Sequence, residues 1–215
     1  MTERAPIQPG EPAPSFTLPA VGRDGTVSLD DYRGRSPVLL AMFRGLYCPF
    51  CRRAIAQLGV TTEKLKNLGV ETLAIVATSA DNARLYFRYR PTRVPLAADQ
   101  ELTTHRAYGL PRPAVTPELM EALQRARINP TGELPEPLPI PQAGEALDKI
   151  EGFTPSETDR QDSERQFPQL KGQVLVDRDG VVRWVNIETA REGASGLGKF
   201  PTDDELVQAI RGLSR

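Results

Sequence analysis

The chain has 215 residues and a formal net charge of −1, from 27 basic and 28 acidic side chains, with 39% hydrophobic residues. That length holds a core without a disulfide scaffold or a metal, and the near-neutral balance argues against wholesale electrostatic binding to nucleic acid or acidic membranes. The apolar runs, such as VLLAMF at 38–43, fall far short of the ~20 residues of a membrane helix, and residues 1–10 lack the apolar core of a secretory signal, so a cytoplasmic protein is expected.

Residues 1–14 are rich in proline and expected to be extended, and Asp24 and Gly25 mark a turn before 27–29. The unbroken apolar run at 38–43 has the pattern of a strand buried on both faces. A helix is expected from Pro49, with Ile55, Leu58, Leu65 and Leu68 at roughly helical spacing and Gly69 as its stop. Residues 70–77 read as a second strand, and Ser79 as the cap of a helix running to Tyr89. Residues 94–97 read as a short strand and 100–108 as a short helix before Gly109. From there prolines fall at 111, 113, 117, 130, 135, 137, 139 and 141, a density that predicts no regular sheet element. One helix fits inside it: Thr116 as cap, Pro117 in the first turn, then Leu119, Met120 and Leu123 on one face. Residues 129–166 read as a long polar excursion, of the kind that is functional or disordered. The segment 111–166 is therefore expected to be a Pro-rich insertion in a single domain spanning 1–215.

Order returns at 173–177 and 181–185, two β-rich runs around Arg178-Asp179-Gly180 that predict a hairpin. Thr202 with Glu205 three residues later forms a capping box, and Leu206, Val207, Ile210 and Leu213 supply the apolar face of a last helix. The order predicts a βαβ unit with a right-handed crossover followed by antiparallel strands. The expected fold class is α/β, a three-layer sandwich with a mixed central sheet flanked by helices.

The chain holds two cysteines and one histidine, too few for an all-Cys/His tetrahedral zinc site. The cysteines form Cys48-Pro49-Phe50-Cys51, directly after the first buried strand and at the start of a helix. Cys48 is expected at the N-cap, Pro49 at the first helical position and Cys51 at the third. Both sulfurs would then lie near free backbone N–H groups and the positive helix end, and Arg44, Arg52 and Arg53 add positive charge. Such a thiol ionises below its free pKa of about 8.5. The spacing also lets one sulfur attack and the other resolve the product as a disulfide. Cys48 and Cys51 are thus the candidate catalytic residues, and no metal or cofactor is implied.

Most of the chain outside 111–166 resembles the peroxiredoxin (AhpC/TSA) branch of the thioredoxin-fold superfamily. The resemblance is carried by Pro9-Gly10-Glu11-Pro12-Ala13-Pro14-Ser15-Phe16-Thr17-Leu18, by Val27-Ser28-Leu29-Asp30-Asp31-Tyr32-Arg33-Gly34, and by the VLLAMF strand leading into the cysteines. Pro95-Leu96-Ala97-Ala98-Asp99 through Arg106-Ala107-Tyr108-Gly109, Val174 through Gly180, and Phe200-Pro201-Thr202 continue it. It implies a thioredoxin-like fold and a thiol-dependent peroxidase. Laid on the family's Pro-x-x-x-Thr-x-x-Cys motif, Arg44 falls at the Pro, Cys48 at the Thr and Cys51 at the peroxidatic Cys. Lys171 falls at the activating Arg, keeping the charge without the bidentate fork. Thioredoxin logic instead names Cys48, yet Gly172 and Gln173 stand where that fold's cis proline should precede the strand, and Pro168 is several residues early. The two registers disagree on the nucleophile, and the reading leans to Cys48 as the more accessible sulfur.

Gly193 through Phe200 nearly spells a P-loop, but Phe200 replaces the hydroxyl residue and Pro201 interrupts any helix, which favours a glycine loop on the site rim. Arg84 through Arg90, with Arg93, interleaves cations and aromatics and is most simply an amphipathic helix with a solvated arginine face. His105 reads as a single exposed histidine, with Cu(I) delivery beside the dithiol as the remote alternative. Trp184 reads as core, and Asp30-Asp31 and Asp203-Asp204 as helix-start acids.

The function expected is a thiol-dependent antioxidant oxidoreductase that cycles Cys48 and Cys51 between dithiol and disulfide, reducing a peroxide and drawing on a thioredoxin-like reductant. The alternatives are a protein-disulfide reductase that uses 111–166 as a docking surface, and a non-enzymatic redox sensor or metal carrier. No nucleic acid or membrane partner is expected; a homodimer is compatible with the sequence.

Overall fold

The computed structural model describes residues 4–214, so the first three residues of the Pro-rich start lie outside the described residues. From residue 4 the start is extended and tied down: Ile7 N–H donates to Tyr108 O at 3.1 Å and Ala13 N–H to Gly180 O at 2.8 Å. A short ribbon follows, β1 (Thr17–Pro19) against β2 (Thr26–Ser28). Then come β3 (Val38–Phe43), α1 (Pro49–Asn67), β4 (Glu71–Val76), α2 (Ala80–Tyr89), β5 (Leu96–Ala98) and α3 (Thr103–Ala107). The middle of the chain forms α4 (Pro117–Arg125), β6 (Arg127–Ile128), β7 (Leu138–Pro139), α5 (Ile140–Glu151) and α6 (Glu157–Gln166). The hairpin β8 (Gly172–Val176) and β9 (Val182–Ile187), then α7 (Asp203–Arg211), complete it.

The central sheet has the order β5-β4-β3-β8-β9. β3, β4 and β5 run parallel, while β8 is antiparallel to β3 and β9 to β8. The two-residue alternation of β3 divides its side chains between two cores: Leu39, Ala41 and Phe43 face one, Val38, Leu40 and Met42 the other. Helices α1, α5 and α7 contribute to the first core. Ile7, Val27, Leu29 and Tyr108 close the second. This is the mixed, helix-flanked α/β sandwich expected. The caps hold as well: Ser79, Thr116 and Thr202 each accept from the backbone N–H three residues on.

Four expectations are corrected. Residues 129–166 are not a polar excursion, because they contain α5 and α6. Pro141 falls in the first turn of α5, where its missing N–H costs no hydrogen bond, and Gly152 ends the helix at φ +65°. α6 hides from hydrophobic periodicity because it packs with polar side chains: Asp159, Asp162 and Gln166 are its buried residues. Asn82 Nδ2 donates to Asp159 at 2.9 Å, and Ser156 with Asp159 forms a capping box. Nor is the proline-dense stretch free of strand, since β6 and β7 pair; Pro139, which has no N–H to donate, is tolerated there because it ends a strand of a ribbon of only two strands.

The helix expected at 100–108 is shortened to α3, because the Asp99 carboxylate accepts from Thr103 N at 3.1 Å and Thr104 N at 2.7 Å and sets the start there. That start turns His105 inward. It is fully buried rather than exposed, and neither ring nitrogen has a hydrogen-bond partner. Burial, only partly offset by Asp99, holds it far below its usual pKa, so the ring is neutral. Among the described residues no helix is long and apolar enough to cross a membrane.

Candidate active site

β3, the central strand, ends at Phe43 and α1 begins at Pro49, and the intervening turn carries Arg44 and Cys48 at the C-terminal end of that strand. Cys48 is the N-cap of α1, with φ −85° and ψ 109°, and Pro49 pre-sets the first turn. Neither cysteine is in a disulfide. The Cys51 N–H donates to Cys48 Sγ at 3.3 Å, so the sulfur occupies the place of a capping oxygen. Cys48 is 4% exposed and Cys51 0%. The pair is therefore more recessed than expected, with Cys48 as the outer sulfur.

Of the three arginines expected to bathe the pair, one faces it. Arg44 Nη2 lies 3.4 Å from Cys48 Sγ. The same guanidinium binds Glu188 through both nitrogens, at 2.5 and 3.2 Å, and donates to Gln169 O at 3.0 Å. Arg52 and Arg53 point elsewhere. Arg52 pairs with Asp148 and with Glu151 (3.0 Å) and stacks 3.6 Å above the Phe153 ring; Arg53 reaches Glu133 at 2.7 Å and Glu151 at 3.1 Å. Their charges are matched by helix α5 and its neighbourhood, and they clamp α5 onto the start of α1.

Lys171 is buried, as is Glu188. Lys171 Nζ donates to Gly198 O at 2.7 Å and lies 3.7 Å from Glu188, whose Oε1 also accepts from Gly198 N at 2.7 Å. The immediate charges are then two cations, Arg44 and Lys171, against one carboxylate. That imbalance leaves room for one more negative charge, and the Cys48 thiolate supplies it. Burial alone would push the Cys48 thiol up, but the hydrogen bond from Cys51 and the charges of Arg44 and Lys171 outweigh it and bring the pKa down to about 5. Cys51 moves the other way: burial, then its bond to Cys48 and the negative charge that forms there, hold it well above its usual value. One sulfur is poised as thiolate and its neighbour as thiol.

The surrounding shell is built from distant segments. Gln166 Oε1 accepts from Gly45 N at 2.8 Å, and its amide nitrogen donates to Ala77 O. The Phe167–Pro168 peptide is cis, and Pro168 lines the same cavity as Cys48. A proline does border the pair, although it lies several residues before β8 rather than directly before the strand. Gly198 sits where no other residue fits: at φ +84°, a Cβ would stand 2.8 Å from Pro130 Cγ and 2.9 Å from Phe50 Cγ. Glu188 and Gln166 are invisible in the sequence, since an isolated acid after a hairpin and an amide at a helix end carry no local signal. The glycine-rich 193–200 segment is a rim loop as expected, with Gly193, Ala194 and Leu197 on the cavity wall and Lys199 paired to Glu192.

Cys48 opens onto a cavity of 700 Å³ whose lining is largely apolar. Its walls come from α4, α5, the 167–170 turn and the glycine loop. The arrangement has a low-pKa sulfur, a second thiol three residues away, a guanidinium able to hydrogen-bond an oxygen bound at that sulfur, and a largely apolar pocket in front of it.

The model for the AhpC/TSA family matches residues 9–185. Among solved structures, the reduced 2-Cys peroxiredoxin of Plasmodium vivax superposes with a TM-score of 0.61 at 16% identity, covering 97% of this chain and 83% of that one. The mitochondrial 2-Cys peroxiredoxin of Plasmodium falciparum gives 0.57 at 14% identity, with 96% and 94% coverage. Peroxidoxin BcpB of Mycobacterium tuberculosis gives 0.57 at 14%, with 97% of each chain covered. At such identities the likeness speaks for the thioredoxin-like fold. No curated protein matches the sequence.

Proposed function

The chain belongs to the AhpC/TSA family, and on that premise we propose that it reduces hydroperoxides with Cys48 as nucleophile and Cys51 as resolving thiol. Membership makes it a thiol-dependent peroxidase or oxidoreductase; the assignment of roles is drawn from the site. The observation that carries it is the 3.4 Å approach of Arg44 to Cys48 Sγ on the floor of a cavity, with Cys51 buried behind.

The Cys48 thiolate attacks the terminal oxygen of the hydroperoxide. An S–O bond forms and the O–O bond breaks, giving Cys48 sulfenic acid. The leaving oxygen takes the electron pair and the proton that the thiol had released. The Arg44 guanidinium stabilises the negative charge that moves onto oxygen. The Cys51 sulfur then attacks Cys48, an S–S bond forms and water leaves. An external dithiol of the thioredoxin type restores the pair. The recess of Cys48 supports a small substrate over a protein disulfide, which must bring its own backbone up to the attacking sulfur.

The test is hydroperoxide consumption coupled to a thioredoxin system for wild type, Cys48→Ser and Cys51→Ser. Cys48→Ser is expected to be inactive, and Cys51→Ser to complete one oxidation without turnover. Unimpaired turnover by Cys48→Ser would overturn the assignment. Rapid reduction of insulin disulfides with no peroxide turnover would replace it with protein-disulfide reduction.

A further inference from the structure

We propose that a second cavity, of 670 Å³, walled by α1, α2 and the turn at 90–93, is a binding site for a free aromatic amino acid. It shares no lining residue with the cavity in front of Cys48, so the site stands apart from the thiol chemistry.

The volume lies within the roughly 300–1,000 Å³ of small-molecule sites. Ile55, Ala56 and Val60 line it from α1, and the rings of Tyr86 and Phe87 from α2. The aromatic wall is fixed before any ligand arrives. Tyr86 Oη donates to Glu151 at 2.7 Å, and its ring meets Phe87 edge-on with centroids 4.9 Å apart. Gly59 lets the 90–93 turn close against α1, because a Cβ there would stand 3.0 Å from Thr92 Oγ1. Val60 remains 72% exposed, apolar surface that a bound ring would cover. A rigid aromatic wall together with an aliphatic one suits a planar ring.

The charges of the lining cancel pair by pair until two are left. Arg52 meets Asp148, Arg53 meets Glu133, and Glu151 binds both of these arginines and lies 3.7 Å from Arg90. Arg93 and Glu63 also line the cavity; both are exposed, and among the described residues neither forms an ion pair. They are anchored close together. The Cβ position of Gly59 is 3.7 Å from Arg93 N, and Glu63 follows Gly59 by one helical turn on the same face of α1. One free guanidinium and one free carboxylate beside an apolar hollow match the carboxylate and the ammonium of an α-amino acid, with its ring in the hollow. A ligand carrying only one of these charges leaves the other side chain without a partner. The cations and aromatics interleaved through 84–93 thus have a use that the peroxide chemistry does not supply: Tyr86 and Phe87 as wall, Arg93 as anchor.

The experiment is an NMR titration of the protein with L-phenylalanine, L-tryptophan, 3-phenylpropionate and phenethylamine. The last two keep the ring and carry the carboxylate alone or the ammonium alone. Wild type and Cys48→Ser are expected to bind an aromatic amino acid with a Kd below about 1 mM, and each single-charge analogue about tenfold more weakly. Arg93→Gln should bring L-phenylalanine down to the affinity of phenethylamine and leave phenethylamine itself unchanged. Glu63→Gln should bring it down to that of 3-phenylpropionate, again leaving the analogue unchanged. Both side chains are exposed, so these variants keep the fold. No saturable binding of either amino acid by wild type would overturn the site. Equal wild-type affinities for all four probes, or equal losses for every probe in both variants, would overturn the pairing with Arg93 and Glu63. Binding lost in Cys48→Ser would put the ligand in the other cavity and overturn the proposal as well.

Discussion

Replacing Arg44 with Gln removes the one guanidinium that touches the Cys48 sulfur, and the consequence can be sized. At an effective dielectric of about 20, a unit charge 3.4 Å from the thiolate contributes about 5 kcal/mol, equivalent to about 3.6 pK units. Water entering the emptied space and rearrangement of Lys171 reduce this. A rise of about 2 units remains, from about 5 to about 7. The charge balance gives the same sign: with Arg44 gone, Lys171 and Glu188 neutralise each other, and a thiolate becomes surplus charge in a buried site. The Glu188 carboxylate keeps the backbone N–H groups of Lys171 and Gly198 as donors. The assay is thiolate ultraviolet absorbance against pH, in wild-type and Arg44→Gln proteins that both carry Cys51→Ser. At pH 6 the thiolate fraction, and with it the rate of reaction with a neutral electrophile, should fall about tenfold. An unchanged titration in a variant whose circular dichroism is native would refute the electrostatic account.

Four further outcomes follow from the same structure. Because the folded-state pKa of Cys48 is depressed to about 5, its alkylation rate should be flat at neutral pH and fall as pH drops through that value, while Cys48→Ser removes the titration. The linked stability has the corresponding sign: the Cys48 contribution is present near and above the unfolded thiol pKa and is lost as pH falls through the folded one, which urea midpoints of wild type and Cys48→Ser should resolve. Arg52→Met leaves Asp148 and Glu151 without their shared buried cation and should cost roughly 3–5 kcal/mol in urea unfolding; a loss below about 1 kcal/mol would mean that α5 is held by its apolar contacts alone. Gly198→Ala forces a Cβ against Pro130 and Phe50 at positive φ and should cost roughly 2–4 kcal/mol, read by the same denaturation. An Ala variant as stable as wild type would refute the close packing of that loop.

The legible part of this fold is the part where local chemistry and burial agree. VLLAMF announces a strand covered on both faces, Pro49 and Gly69 bracket α1, and Thr202 with Glu205 opens α7, because each signal is read within one turn or one strand. The middle of the chain is opaque for two different reasons. In α5 the prolines sit at the start of the helix, so counting them as breakers mistakes a permitted position for a forbidden one. In α6 the buried face is polar, so hydrophobic spacing is blind to it. His105 looks exposed in a polar neighbourhood and is turned inward only because Asp99 sets where α3 begins.

At the site, the dipeptide-spaced cysteines and their place at a helix start are local and were readable. The partners that set their charge are not. Arg44 meets Glu188 across 144 residues of chain, and Gln166 closes on Gly45 across 121. Counting arginines near Cys51 in sequence overstates the local field, because Arg52 and Arg53 leave the pair for α5. Lys171, noticed only through a family resemblance, lies in the network that does act on Cys48.

The central claim is that oxidation begins at Cys48. The direct measurement is trapping of the first sulfenic acid with dimedone, followed by peptide mass spectrometry, in Cys51→Ser and Cys48→Ser proteins exposed to substoichiometric cumene hydroperoxide. The account predicts an adduct on Cys48 in the first protein and none on Cys51 in the second. A Cys51 adduct formed as fast in Cys48→Ser as the Cys48 adduct forms in Cys51→Ser would contradict it.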